Sequence, residues 1–276
     1  MNQSVSQLAD EFHRRGYVVV PGLLTPQEVA EIRDTFMAQN AEGPVPGLSE
    51  IHRNGSGESY DEGDPLTFYP RMMHPHNHPD KPVGPLSMRY MLDLRLKTVL
   101  SALMDSEPVA AQSMFYFKPA GARGQDLHQD NFYLRVAPGT CYAAWCAIDD
   151  VDRENGGMVL VPGSHALPIL CPTGSDKTLF FTDHHVDVPE GMEAIPADMK
   201  AGDVLFFNGS VIHGSYPNVS EDRFRRAFIC HYVPKASAEV SRFYKCLDFD
   251  GNPVALADST MGGPCGGAWS EVKGPH

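Results

Sequence analysis

The residues best suited to chemistry in this sequence are His128 and Asp130, in Leu127-His128-Gln129-Asp130. Side chains at i and i+2 of a strand point to one face. The spacing therefore predicts that both reach one metal ion from a single strand end. A third ligand must come from elsewhere, and His213 is the best candidate. It follows the apolar run Val204-Leu205-Phe206-Phe207 and stands directly before Gly214. Two neutral imidazoles and one carboxylate on one face of an ion leave three positions open, the arrangement of non-haem Fe(II) oxygenases. Open positions admit a bidentate 2-oxo acid and dioxygen, which a fully ligated ion would exclude.

His-x-Asp by itself recurs by chance, so the weight rests on what accompanies it. Asp222-Arg223-Phe224-Arg225-Arg226 follows His213 closely. A guanidinium pairs bidentately with a carboxylate, which suits the far end of a 2-oxo diacid. If this stretch is a strand, alternation puts Arg223 and Arg225 on one face and Arg226 on the other, leaving rivals for the role. A zinc hydrolase is the competing enzyme class, but the chain has no His-Glu-x-x-His and no evident water-activating Glu beside the histidines.

The elements that must position these residues are legible in outline. Val5, Leu8, Ala9 and Phe12 share a helical face that ends at Arg14-Arg15-Gly16. Tyr17–Val20 reads as a short buried strand. Thr25, Pro26 and Glu28 then open a second helix with a capping box, running through Val29, Ile32 and Phe36. Residues 40–85 are rich in Gly, Pro, His and Asp and read as a long loop, a lid from which Tyr69 and Arg71 could reach inward. A helix is expected from about Ser87 to Met104. Beyond about Val109 short strands alternate with turn signals, at Ser113–Lys118, Tyr142–Ile148, Met158–Val161, Asp203–Phe207 and Arg226–Val233. Helices first and strands later argue an α+β class, and the strand spacing a sandwich or jelly roll. No linker divides residues 1–276, so one domain is expected.

Composition narrows the function. The chain has 276 residues, 42% hydrophobic and 21% charged, with a net charge of −13. That charge disfavours nucleic acid or an anionic membrane as partner and leaves a small-molecule substrate. No apolar run of about 18 residues occurs, and the start of the chain lacks a secretory pattern. The six cysteines form no Cys-x-x-Cys pair, so free thiols in the cytoplasm are expected. His74, His76 and His78 alternate in the presumed lid, His165 is expected to hydrogen-bond within its loop, and His184 and His185 show no partner. His231, in a β run, is expected to be structural or near the co-substrate end.

Taken together the motifs resemble the phytanoyl-CoA dioxygenase family. The matching pieces are Gly16-Tyr17 with residues 18–23, His128-Gln129-Asp130, Asp152-Arg153-Glu154-Asn155-Gly156-Gly157-Met158, Val161-Pro162-Gly163-Ser164-His165, Gly202–Phe207, His213-Gly214-Ser215 with Asn218, and Phe224-Arg225. The resemblance implies a double-stranded β-helix (jelly-roll, cupin-like) core with flanking helices. It implies Fe(II), 2-oxoglutarate and O2, with hydroxylation of a C–H bond and release of succinate and CO2. It also implies that Arg225 binds the distal carboxylate of 2-oxoglutarate beside Ser215, with Gln129, Trp145 and Met114 lining the same pocket. Halogenating relatives carry a small residue at the carboxylate position, so Asp130 favours hydroxylation, desaturation or ring formation. A non-catalytic relative on the same fold would have no need for the triad and Arg225 together. The substrate is expected to be set by the 40–85 loop, the 170–190 segment, and Asn131, Tyr133 and Arg135 just past the triad.

Overall fold

Two capping boxes start the chain, and both arise from local chemistry. Ser4 with Gln7 caps α1 (Val5–Arg15), which ends on Gly16 in a left-handed conformation. The first strand, β1 (Tyr17–Val20), follows directly. Thr25 with Glu28 caps α2 (Pro26–Ala41), with Pro26 in its first turn. The computed structural model describes residues 4–50 and 63–259.

The expected lid is only partly a loop. Residues 51–62 lie outside the described residues. The rest holds α3 (Pro65–Phe68) and β2 (Met72–Met73), and β2 pairs with the longest strand of the molecule. His76, one of three alternating histidines assigned to the lid, is buried against Ser113 Oγ at 2.7 Å. Met72 and Leu48 are buried in the core, so this part of the insert is a wall of the fold. The single helix expected at 87–104 is two, α4 (Val83–Met91) and α5 (Leu94–Met104). The break falls at Leu92-Asp93, where the Asp93 side chain accepts from the Arg95 N–H and caps the second helix.

The next strands are β3 (Pro108–Tyr116) and β4 (Gln125–His128), followed by the short helix α6 (Asn131–Leu134) and β5 (Tyr142–Ala147). Then come β6 (Met158–Leu160), β7 (Thr173–Gly174), β8 (His184–His185) and β9 (Ile195–Ala197). The chain continues through β10 (Val204–Asn208), β11 (His213–Ser215), β12 (Ala227–Pro234), β13 (Glu239–Val240) and β14 (Ala257–Asp258). A six-stranded sheet has the order β1-β10-β5-β12-β3-β2, and a four-stranded sheet the order β4-β11-β6-β9; their pairings are antiparallel.

Alternation along the large sheet sends side chains into two cores. On its outer face Phe115, Phe206 and Phe228 pack against Phe12, Ile32 and Phe36 of the helices. On its inner face Met114, Trp145, Leu205 and Ile229 pack against Met158 and Leu160 of the small sheet. Trp145 and Met114 are cross-strand partners of the same residue, Ile229. The site therefore grows from the inner face.

Two further expectations fail. Cys171 is disulfide-bonded, whereas Cys141, Cys146, Cys230 and Cys246 are free and buried; Cys265 lies outside the described residues. His184 and His185 do have partners: Tyr133 Oη at 2.9 Å and Asp126 Oδ1 at 2.8 Å. Among the described residues no helix is long and apolar enough to cross a membrane.

Candidate active site

His128, the last residue of β4, and His213, the first of β11, are cross-strand partners. Asp130 is not on the same strand, as the two-residue spacing had suggested. The strand stops at His128, and Asp130 sits in helical conformation at the start of α6. The turn still delivers its carboxylate to the histidines. Oδ1 is 3.3 Å from His128 Nε2 and 3.5 Å from His213 Nε2. One ligand atom from each residue lies within 4.8 Å of the others, and all three residues are buried.

Each imidazole is oriented by a carbonyl two residues earlier. His128 Nδ1 meets Asp126 O at 2.8 Å, and His213 Nδ1 meets Val211 O at 2.9 Å. A carbonyl only accepts, so Nδ1 carries the hydrogen and Nε2 keeps its lone pair on the Asp130 side. Burial, reinforced by His213, pushes the His128 pKa down. That favours the neutral imidazole that a metal requires.

Sequence reasoning did not find what holds Asp130. His231 Nε2 donates to Asp130 Oδ2 at 2.9 Å, and the His231 Nδ1 receives Gln112 Nε2 at 2.9 Å. His231 and Gln112 are opposite each other on β12 and β3. The relay occupies one carboxylate oxygen and leaves the other toward the histidines. The alternation of His231 with Ile229 on a buried strand was the available signal.

The cavity beside the triad is lined by Met114, Trp145, Phe207 and Ile229, with Ser215 and Arg225. Arg225 is 1% exposed and lies over the Trp145 ring at 5.3 Å. Its Nε donates to Gly156 O at 3.0 Å, while its buried Nη1 has no hydrogen-bond partner among the described residues. Burial lowers its pKa to about 10, so it stays a cation at neutral pH. A buried, partly unsatisfied guanidinium fits an anionic ligand that lies between it and the triad. Its rivals are spent elsewhere. Arg223 pairs with Asp152 at 2.7 Å and Arg226 with Asp149 at 2.6 Å. Strand alternation did not decide this, because β12 begins only at Ala227.

Other expected site residues are placed differently. Gln129 points away from the cavity, its amide donating to Ser210 O at 2.8 Å and accepting from Leu170 N at 2.8 Å. Tyr69 packs between Phe117 and Phe224 on the helix side of the large sheet. Asn131 is turned onto the backbone of Val136, at 2.9 Å for the Val136 N–H, and Arg135 closes α6 in a left-handed conformation. Tyr133 does stand near the His128–Asp130–His213 cluster, its ring 6.2 Å from that of His128. Arg71 is 2% exposed, is paired with Glu50, and donates to Tyr116 Oη at 2.8 Å. Tyr116 in turn lines the cavity. His165 bonds to His13 O at 3.1 Å, tying its loop to α1.

Two imidazoles and a carboxylate on one buried face could hold one metal ion with open positions, beside a buried cation that has no carboxylate partner among the described residues. A family model described as Phytanoyl-CoA dioxygenase (PhyH) matches residues 12–227, and the chain belongs to that family of iron- and 2-oxoglutarate-dependent dioxygenases. Phytanoyl-CoA dioxygenase 1 of Oryza sativa subsp. japonica is 25% identical over 254 residues, covering 84% of this chain and 89% of that protein. Phytanoyl-CoA dioxygenase domain-containing protein 1 of Danio rerio is 25% identical over 267 residues, covering 84% and 91%. Among solved structures, the epimerase SnoN in complex with Fe3+, alpha ketoglutarate and nogalamycin RO superposes with a TM-score of 0.66 at 23% identity, covering 94% and 96%. The carbocyclase SnoK from nogalamycin biosynthesis gives 0.65 at 20%, covering 95% and 94%. At these identities the structural likeness establishes the fold.

Proposed function

We propose that the protein, as one domain over residues 1–276, hydroxylates a C–H bond of a small organic substrate. The two antiparallel sheets are read as the halves of a double-stranded β-helix that holds the site between them. The observation that carries the reading is the pairing, in one cavity, of the His128–Asp130–His213 face with the unsatisfied Nη1 of Arg225. Fe(II) held by the three ligands and 2-oxoglutarate spanning to Arg225 would supply the oxidising power.

The chain's own residues do the rest. His128 and His213 present their Nε2 atoms, and Asp130 supplies one anionic oxygen while His231 holds the other. Arg225 fixes the far carboxylate, with Ser215 beside it. Met114, Trp145 and Ile229 form a dry wall that shields the reaction from water. Tyr133, braced by His184, and Tyr116, braced by Arg71, stand next to the ligands and are assigned to the substrate wall. The test is incubation of the Fe(II)-loaded protein with 2-oxoglutarate and O2 and candidate substrates. Succinate should form in step with a product that has gained one oxygen atom. Without succinate formation on any substrate, the reading falls.

A second outcome is favoured by the relatives of known structure, two of which are described as an epimerase and a carbocyclase. Product mass separates them: unchanged for inversion, two hydrogens lost for ring closure or desaturation.

A further inference from the structure

Three buried polar groups gather at the end of the cavity assigned to the distal carboxylate. Ser215 and Arg225 stand in the motifs quoted above, and Lys118 joins them in the structure. It lies two residues past the end of β3 and is 3% exposed. Its Nζ donates to Ser215 Oγ at 2.8 Å and to Tyr216 O at 2.6 Å. Among the described residues neither Lys118 nor Arg225 forms an ion pair with a carboxylate. A charged amine buried beside the Arg225 guanidinium without a counter-charge is costly, and burial together with Arg225 pushes the Lys118 pKa well down.

The surroundings are shaped around this lysine. A Cβ on Gly156 would lie 2.6 Å from Lys118 Cδ, so the glycine leaves room for the stem. The same glycine's carbonyl accepts from Arg225 Nε. Lys118 O accepts from Arg225 N at 3.0 Å and from Asn218 Nδ2 at 3.1 Å. Lys118 itself has a positive φ of 35°, uncommon for a residue with a side chain. Gly156, in the turn Asn155-Gly156-Gly157, thus seats both side chains.

Counting bonds at Ser215 gives the consequence. A hydroxyl has one hydrogen and two lone pairs. Lys118 Nζ donates to one lone pair, and the backbone N–H of Gln125 donates to the other at 3.2 Å. Only the hydrogen is left, so Ser215 is obliged to donate, and it lines the same cavity as Arg225. We infer that Lys118 is a positioning residue that makes Ser215 an obligatory donor to the distal carboxylate of 2-oxoglutarate, and so sets the preference for a 2-oxo diacid. The inference rests on the proposed 2-oxoglutarate site.

The test is binding of 2-oxoglutarate, and of 2-oxopentanoate, which lacks the distal carboxylate, to the anaerobic Mn(II)-loaded full chain by calorimetry. Lys118→Met should weaken 2-oxoglutarate binding by about tenfold and leave 2-oxopentanoate unchanged. In a Ser215→Ala background the same change should cost less than about twofold, because a residue acting through Ser215 has nothing left to orient. Multiplicative losses would overturn the inference, since the ammonium would then act on the ligand directly. Unchanged 2-oxoglutarate binding in Lys118→Met would also overturn it. If that variant does not fold, Lys118→Leu and Lys118→Gln take its place, with the same outcomes alone and in the Ser215→Ala background. Failure of the unmutated protein to bind 2-oxoglutarate would instead remove the co-substrate reading itself.

Discussion

Asp130 carries the one negative charge in the proposed metal shell, and its second oxygen is held by His231 at 2.9 Å. Asp130→Ala should abolish stoichiometric Fe(II) retention on gel filtration. His231→Phe, which keeps a ring of similar size but donates nothing, should raise the metal dissociation constant by about 10- to 100-fold, read from Co(II) absorption titrations. Arg225→Ala should raise the 2-oxoglutarate constant at least about tenfold with metal binding retained. The clustering of His128, Asp130 and His213 was legible because its signal is local: two residues apart, or a histidine before a glycine after an apolar run. Gln129 was misplaced because a residue between two ligands faces the other way. His231 and Lys118 were hidden because their partners, Asp130 and Ser215, lie 101 and 97 residues away.

At the scale of elements, capping chemistry was readable and tertiary breaks were not. The second helix starts where Thr25 says it should, and the structure adds an equivalent cap at Ser4 for the first. The break at Asp93 was masked by apolar positions that keep helical spacing across it. The same break carries a charge cluster: Arg95 bonds to Asp93 and also to Glu28 at 2.7 Å, tying α5 to the start of α2. The Arg95 hydrogen bond, with help from Thr25, lowers the Glu28 pKa from 4.5 to about 2. A lowered carboxyl pKa stabilises the fold above its ordinary value and is lost as pH falls through the lowered one. Thermal unfolding from pH 5 to about 2 should therefore fall less steeply in Glu28→Gln than in the unmutated protein. Equal slopes would show that the pair contributes nothing to acid stability.

For the whole molecule, the order of helices and strands correctly indicated mixed α and antiparallel β structure. The sequence did not reveal that the large sheet is covered by helices on one face and by the site on the other. Nor did composition reveal that part of the Gly- and Pro-rich insert is core, because Leu48, Met72 and Met73 are few among polar neighbours. The two faces give a clean separation. Phe36 is fully buried and stacks on Phe115 with ring centroids 4.0 Å apart. Phe36→Ala should cost about 3–5 kcal/mol of stability in denaturant unfolding while the folded fraction keeps its metal affinity. A parallel loss of metal affinity would mean that the helix layer sets the site geometry.

Asp130 touches both sheets: its first oxygen faces histidines of the small sheet, and its second is held by His231 of the large one. An ion placed there would work as a rivet, carrying mechanical load between two plates that are joined nearby by side-chain packing and by the Lys118–Ser215 hydrogen bond. Prising the plates apart would first have to shear that rivet. Fe(II) or a redox-inert substitute should therefore raise the unfolding temperature as its free concentration rises, the added stability reaching about 2.7 kcal/mol at a hundred times the dissociation constant. Chelation should loosen the join before it melts the sheets, exposing the amides of β4 and β11 to exchange ahead of those in β3 and β12.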